Sequence, residues 1–274
     1  MSAFLTDMHS HSSFSHDCKV DFSEMLACAQ EKGLSFYGLS DHFDYDYDIL
    51  LTEIGERPRS KEETEEYFHR ARHLQEDYEG VMNVAIGAEF GFSEAPEVQK
   101  IYQGIYDKFR PDFVINSVHS GDGVDFYRHK YTESKEVVYR KYLRLIRKSL
   151  DTTYPYDIVG HIGYIARYVP YEDKAFSLEE FGQELDDIFL TVIKKGKILE
   201  VNSKSKGLPQ LSLPSEELLH RYYELGGRKI SFGSDAHIKE HIAFNREEVV
   251  KMLKGIGFTH ITVPYRGEHI QVEL

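Results

Sequence analysis

Apolar residues along the chain fall into two patterns: short continuous runs, and longer stretches in which they recur every third or fourth position. The runs read as buried strands and the stretches as amphipathic helices. The first run, Ala3-Phe4-Leu5 with Met8, leads into His9-Ser10-His11. A helix is expected over about Asp21 to Lys32, with Ser23 as N-cap and Gly33 ending it, followed by a strand from Ser35 to Ser40. Asp44 to Arg59, rich in Tyr and Asp and carrying Gly55 and Pro58, reads as a long loop. A charged helix from Lys61 to Tyr78 precedes a strand from Val81 to Ala88. The order then repeats: helix Pro96 to Phe109, opened by a proline at a tolerated position, and strand Asp112 to Val118; helix Lys135 to Leu150 and strand Asp157 to Gly160; helix Leu178 to Lys195 and strand Ile198 to Asn202. Helix Ser215 to Leu225, strand Lys229 to Phe232, a helix near Glu247 to Lys254 and a strand Ile261 to Val263 finish the pattern.

Seven strand–helix units in succession predict a parallel sheet, and seven within 274 residues predict its closure into a barrel or a distorted one. No linker rich in Pro, Gly or Ser interrupts them, so residues 1–274 are expected to form one domain. An open doubly wound sheet would want a glycine-rich phosphate turn after the first strand, and His9-Ser10-His11-Ser12-Ser13 is not one.

Composition narrows the function. A net charge of −13 argues against binding a nucleic-acid backbone, which calls for a basic patch. No apolar run reaches the ~18 residues of a membrane span and no basic-then-apolar leader opens the chain, which predicts a cytoplasmic protein. The cysteines, Cys18 and Cys28, fit reduced thiols. Oligomeric state is left open.

The strand ends carry the chemistry. Alternation along an extended strand puts His9 and His11 on one face, so both can reach one metal ion. His16 follows shortly after. Later strands end at His42, Glu89, His119 and His161, and the seventh at Asp235 and His237. Only the sixth strand end, Glu200-Val201-Asn202, lacks an obvious ligand. In parallel barrels the C-terminal strand ends share one rim. A zinc site takes about four ligands, so this set suits two or three metals. His69, His73, His129, His220, His241, His260 and His269 stand outside the pattern and are read as solvated or without a role.

As a set, His9-x-His11 with His16, Ser40-Asp41-His42, Glu89, His119, Gly160-His161 and Gly233-Ser234-Asp235-Ala236-His237 resembles the polymerase and histidinol phosphatase (PHP) superfamily. Within it the chain is most similar to the histidinol-phosphate phosphatases that lack a haloacid-dehalogenase domain. The resemblance spans the first to the seventh strand. It implies a distorted TIM-like (β/α)7 barrel with a trinuclear centre of Zn, Fe or Mn. By position, His9, His11, Glu89 and Asp235 would hold the first metal, Glu89, His119 and His161 the second, and His16, His42 and His237 the third. Glu89, Asp235 and His237 would form the catalytic group.

The implied reaction is hydrolysis of L-histidinol phosphate. Two cations bridged by Glu89 would offset the ester's charge and lower the pKa of a bridging water, supplying hydroxide for in-line attack. Asp7 and Asp41 are candidates to orient imidazoles. Arg167, six residues past His161, is placed to bind phosphate through its guanidinium fork. For the ammonium and imidazole end, rim loops offer Asp44, Asp46 and Asp48, then Phe90, Phe92 and Glu94, then Asp122 and Asp125. Two other readings compete: a phosphoesterase of the same superfamily acting on a nucleotide or sugar phosphate, and a non-enzymatic metal-binding accessory domain. The complete ligand set on a stand-alone chain favours an enzyme.

Overall fold

The computed structural model describes residues 5–45, 59–205 and 207–274. Seven strands follow one another around the sheet: β1 (Leu5–Asp7), β2 (Leu34–Leu39), β3 (Asn83–Gly91), β4 (Phe113–Ser117), β5 (Ile158–Val159), β6 (Ile198–Asn202) and β7 (Ile230–Gly233). Each pairs in parallel with the next. Just beyond β1 the chain returns to the last strand and the barrel closes: Met8 N donates to Phe232 O at 2.9 Å, Asp235 N to His9 O at 2.8 Å and His11 N to Ala236 O at 2.9 Å. The metal-binding candidates of the first and seventh strands therefore lie on either side of one seam.

Helices α1 (Phe22–Glu31), α2 (Lys61–Asp77), α3 (Pro96–Phe109), α4 (Lys135–Ser149), α5 (Leu178–Lys194), α6 (Glu216–Glu224) and α7 (Arg246–Ile256) connect the strands and cover the barrel. Their starts follow local chemistry. Ser60 and Glu63 form a reciprocal capping box at α2, an arrangement worth about 1 kcal/mol. The first helix is capped by Asp21, whose side chain accepts from Ser23 N, and not by Ser23 as expected. Between helices and strands the core is almost wholly apolar, with Phe22, Tyr37, Phe113, Phe181 and Phe232 fully buried. Each such side chain contributes roughly 1.5–3 kcal/mol.

Three differences from expectation matter. The third strand does not stop at Glu89 but runs through it to Gly91, because a short strand, His42–Phe43, pairs with its second half and sets His42 opposite Glu89. A small hairpin, Ser120–Gly121 with Val124–Asp125, follows β4. The last element is likewise a hairpin, His260–Tyr265 with Glu268–Glu273, rather than one strand. Its Tyr265 ring lies 5.7 Å from that of Phe36 near the start of β2, and His269 Nε2 is 3.6 Å from Asp157 just before β5. That places this hairpin at the N-terminal end of the strands, opposite the histidines. Among the described residues no helix is long and apolar enough to cross a membrane.

Candidate metal centre

Glu89 sits at the middle of the rim, fully buried. Its Oε1 accepts from Ser117 Oγ at 2.6 Å and lies 3.1 Å from His119 Nε2 and 3.0 Å from His161 Nε2. Its Oε2 faces His42 Nδ1 at 2.8 Å, His9 Nε2 at 3.3 Å and His11 Nε2 at 3.7 Å. His11 Nε2 also approaches Asp235 Oδ1 at 3.3 Å. Four groups of three side chains stand close enough to share an ion: His9, His11 and Asp235; His9, Glu89 and His161; His11, His42 and His237; and His42, Asp44 and His119.

Several of these atoms are buried and, among the described residues, are met only by ion-pair contacts: Glu89 Oε2, His9 Nε2, His11 Nε2, His42 Nδ1 and His237 Nε2. Burying such groups without partners is costly. The tautomers explain the arrangement. Glu200, buried in β6, accepts from His9 Nδ1 at 2.5 Å and from His161 N at 2.6 Å. Ser15 Oγ donates to Asp41 at 2.6 Å and accepts from His11 Nδ1 at 3.1 Å. His237 Nδ1 lies 2.9 Å from the Asp235 carbonyl and 3.1 Å from Lys204 Nζ. With their far nitrogens engaged by Glu200 and Ser15, His9 and His11 turn their near nitrogens to the centre, as metal-binding imidazoles do. These donors fit divalent transition metals.

In the absence of an ion, the carboxylates and imidazoles of the rim shift one another strongly. Burial alone would raise the Glu89 carboxyl, but His9, His119 and His42 outweigh it and hold the group well below the usual range. Burial works against protonation of His9 and His119, yet paired carboxylates, Glu200 with Glu89 and Glu89 with Asp44, push both well up. His11 goes well down, by burial first and then by its imidazole neighbours His237 and His42.

Two glycines make room for the supporting carboxylates. A Cβ at Gly233 would lie 2.3 Å from Glu200 Oε1 and 2.6 Å from His9 Cβ. One at Gly91 would lie 1.8 Å from Asp44 Oδ1.

The other sequence candidates fall into three groups. Arg167, on a short 3-10 helix Tyr164–Arg167, does reach the centre: Nη1 is 3.3 Å from Asp235 Oδ2, and Nη2 donates to Asn202 Oδ1 at 3.1 Å. Asp44 lies in the site but accepts from His119 Nδ1 at 2.9 Å, so it holds an imidazole where an ammonium contact was expected. His16 is exposed, its ring centroid 5.6 Å from that of His42. Its neighbour Asp17 also meets this edge, with Oδ2 2.8 Å from His237 Nε2 and Oδ1 3.7 Å from His42 Nε2. Phe92 and Glu94 line a separate cleft of about 170 Å³ with Asp122 and Leu145 of α4. Glu94 pairs there with Lys148, on the outside of the barrel. Asp46 and Asp48 lie outside the described residues. Asp7 accepts from Ser234 and Ala243 and ties β1 to the loop after β7 instead of orienting an imidazole.

Sequence reasoning passed over Glu200, Asp17 and Lys204, whose Nζ is 3.0 Å from Asp235 Oδ1. Glu200 left a signal: a lone acid inside the run Ile198-Leu199-Glu200-Val201 can be buried only with a partner.

Taken with the barrel, this rim fits a known class. A model of the PHP domain matches residues 7–204, and the chain belongs to that family. Among its relatives is the histidinol-phosphatase of Lactococcus lactis, 29% identical over 275 residues that cover 96% of this chain and 95% of the relative. A crystal structure of histidinol phosphate phosphatase from Lactococcus lactis, complexed with zinc, L-histidinol and phosphate, superimposes with a TM-score of 0.84 at 26% identity, covering 97% of this chain and 98% of the other. A solved Listeria monocytogenes structure shares the fold, with a TM-score of 0.77 at 18% identity over 89% of this chain and 99% of its own.

Proposed function

We propose that this protein hydrolyses L-histidinol phosphate to L-histidinol and phosphate, using two to three divalent transition-metal ions drawn from Zn, Fe and Mn. The observation that carries the reading is the ring of buried imidazole nitrogens around Glu89 Oε2, on a chain alike over almost its whole length to an enzyme of that activity. When bound, such ions offset the charge of a phosphomonoester and lower the pKa of an attacking water.

The residues divide the remaining work. His9, His11 and Asp235 make one set around Oε2 of Glu89, and His119 and His161 a second around Oε1. His42 and His237 make a third, with Asp17 the oxygen donor placed between them and His16 at its edge. Glu200, Ser15 and Asp44 hold imidazoles in the tautomer that binds. Arg167 and Lys204 bring positive charge to the Asp235 side, where a phosphate oxygen can meet them.

The test is metal analysis coupled to phosphate release. Protein purified with Zn, Fe or Mn supplementation should hold two to three ions per chain and release phosphate from L-histidinol phosphate. Fewer than one ion per chain, or no release, would overturn the proposal.

Arg167→Ala should lower kcat/KM for L-histidinol phosphate by about 10- to 100-fold, the scale of removing one charge-assisted hydrogen bond from a buried site. Unchanged kinetics would remove the residue from phosphate binding.

A further inference from the structure

Helix α2 carries two histidines that the rim does not use. Its inner face packs Tyr67, Phe68 and Ala71 into the core, and its first turn is fixed by the capping box of Ser60 and Glu63. His69 and His73 stand one turn apart on the outer face, both exposed, at the spacing that makes helical side chains neighbours. Spacing alone still allows rotamers that point the two rings apart, as for independently solvated histidines. Here the rings converge instead, edge to face with centroids 5.0 Å apart.

That separation is the one a shared ion requires. Imidazole nitrogens bind a divalent transition metal at about 2.0–2.1 Å, and two rings held so at a tetrahedral angle have centroids about 5 Å apart. Pairs at the rim meet the same measure: His9 and His11 stand 5.1 Å apart, and His119 and His161 5.2 Å. The surroundings of the α2 pair also favour a cation. Glu66 lies three residues before His69, and Glu76 and Asp77 lie three and four after His73, all exposed on the same face. Glu65 is taken by Lys108. The cations next to the histidines in sequence are drawn away, Arg70 by Asp21 and Arg72 by Asp112.

We propose that His69 and His73 form a second metal site, on the outer surface and independent of the rim, for one divalent ion of the class that imidazole suits, Zn, Ni or Cu. A carboxylate of the same face or water completes the coordination. Because the capped, packed helix holds both donors in place, the second imidazole binds in an intramolecular step, which adds about 10²-fold to the affinity of a lone surface histidine. Two exposed imidazoles are a smaller donor set than the buried one around Glu89, so this ion binds after the rim is filled and leaves before it empties.

The experiment takes protein loaded with Zn, freed of loose ions by gel filtration, and titrates it with further Zn by calorimetry. Wild type should take up one additional ion per chain. His69→Gln and His73→Gln, which change only exposed side chains, should each weaken that uptake by about 10²-fold and leave phosphate release as in wild type. His220→Gln removes an exposed histidine of α6, beside Glu224, and should titrate like wild type. No additional ion in wild type overturns the site, as does an additional ion bound equally well by both α2 variants or lost to the same extent in His220→Gln. A fall in phosphate release in the α2 variants overturns its independence of the rim. The uptake of Zn is read directly, so the result stands whichever phosphate ester the rim hydrolyses.

Discussion

Glu89→Gln should leave the barrel folded and remove nearly all phosphatase activity, by roughly 10³-fold or more, equivalent to about 4 kcal/mol of lost transition-state stabilisation. The substitution keeps size and shape. Its amide oxygen can still accept from Ser117, which now donates to Oε1 at 2.6 Å. The amide nitrogen then falls at Oε2, facing the near nitrogens of His9, His11 and His42 without the carboxylate's charge. There it can donate to imidazoles that in the wild type aim at a cation. Glutamine therefore satisfies locally the groups that wild type leaves open, and occupies the position of the ion. Metal content and phosphate release should fall together, while a thermal melt of the metal-free variant should match or exceed that of metal-free wild type. A variant with full turnover would show that Glu89 does not bridge.

Stripping the metals should lower the melting temperature by about 10 °C or more. The centre gathers buried carboxylates and imidazoles, and without a cation the imidazoles must take up protons in a buried place to balance the carboxylates. An ion that binds only the folded state adds about 4 kcal/mol when present at 1,000 times its dissociation constant. For a chain of this size each kcal/mol moves the midpoint by roughly 2–4 °C. Differential scanning calorimetry with and without chelator, followed by re-addition of Zn or Mn, checks this. A melting temperature indifferent to chelation would mean that the histidines are satisfied by one another.

Much of this was legible in the sequence. The alternation of strand runs and helical periodicities predicted all seven barrel strands, and the helix from Pro96 to Phe109 appears as expected. The strand-end histidines were visible for the same reason: a polar residue closing an apolar run at each unit is a pattern that backbone geometry alone turns into a rim. What the sequence could not convey was direction beyond the strand ends. Glu94 follows Phe92 closely, yet the turn into α3 carries it to Lys148 on the outer surface. Asp44 points inward, but toward His119, because Gly91 leaves the space. Glu200 was hidden by distance, since it is separated from His9 by 191 positions and meets it only where β6 and β7 approach the first strand. The small hairpin after β4 and the second strand of the C-terminal hairpin, Glu268–Glu273, were unread because these strands are too short, or too polar on one face, to show a periodicity.

The seam between the first and last barrel strands has a bearing on how the molecule comes into being. His9 and His11 follow the first barrel strand and Asp235 and His237 the seventh, so a chain lacking either end of the barrel holds no complete centre. Joining such distant segments carries a loop-closure cost that a local hairpin does not. An ion shared by these groups would therefore clasp the first barrel strand to the seventh, and should load only once that seam has closed.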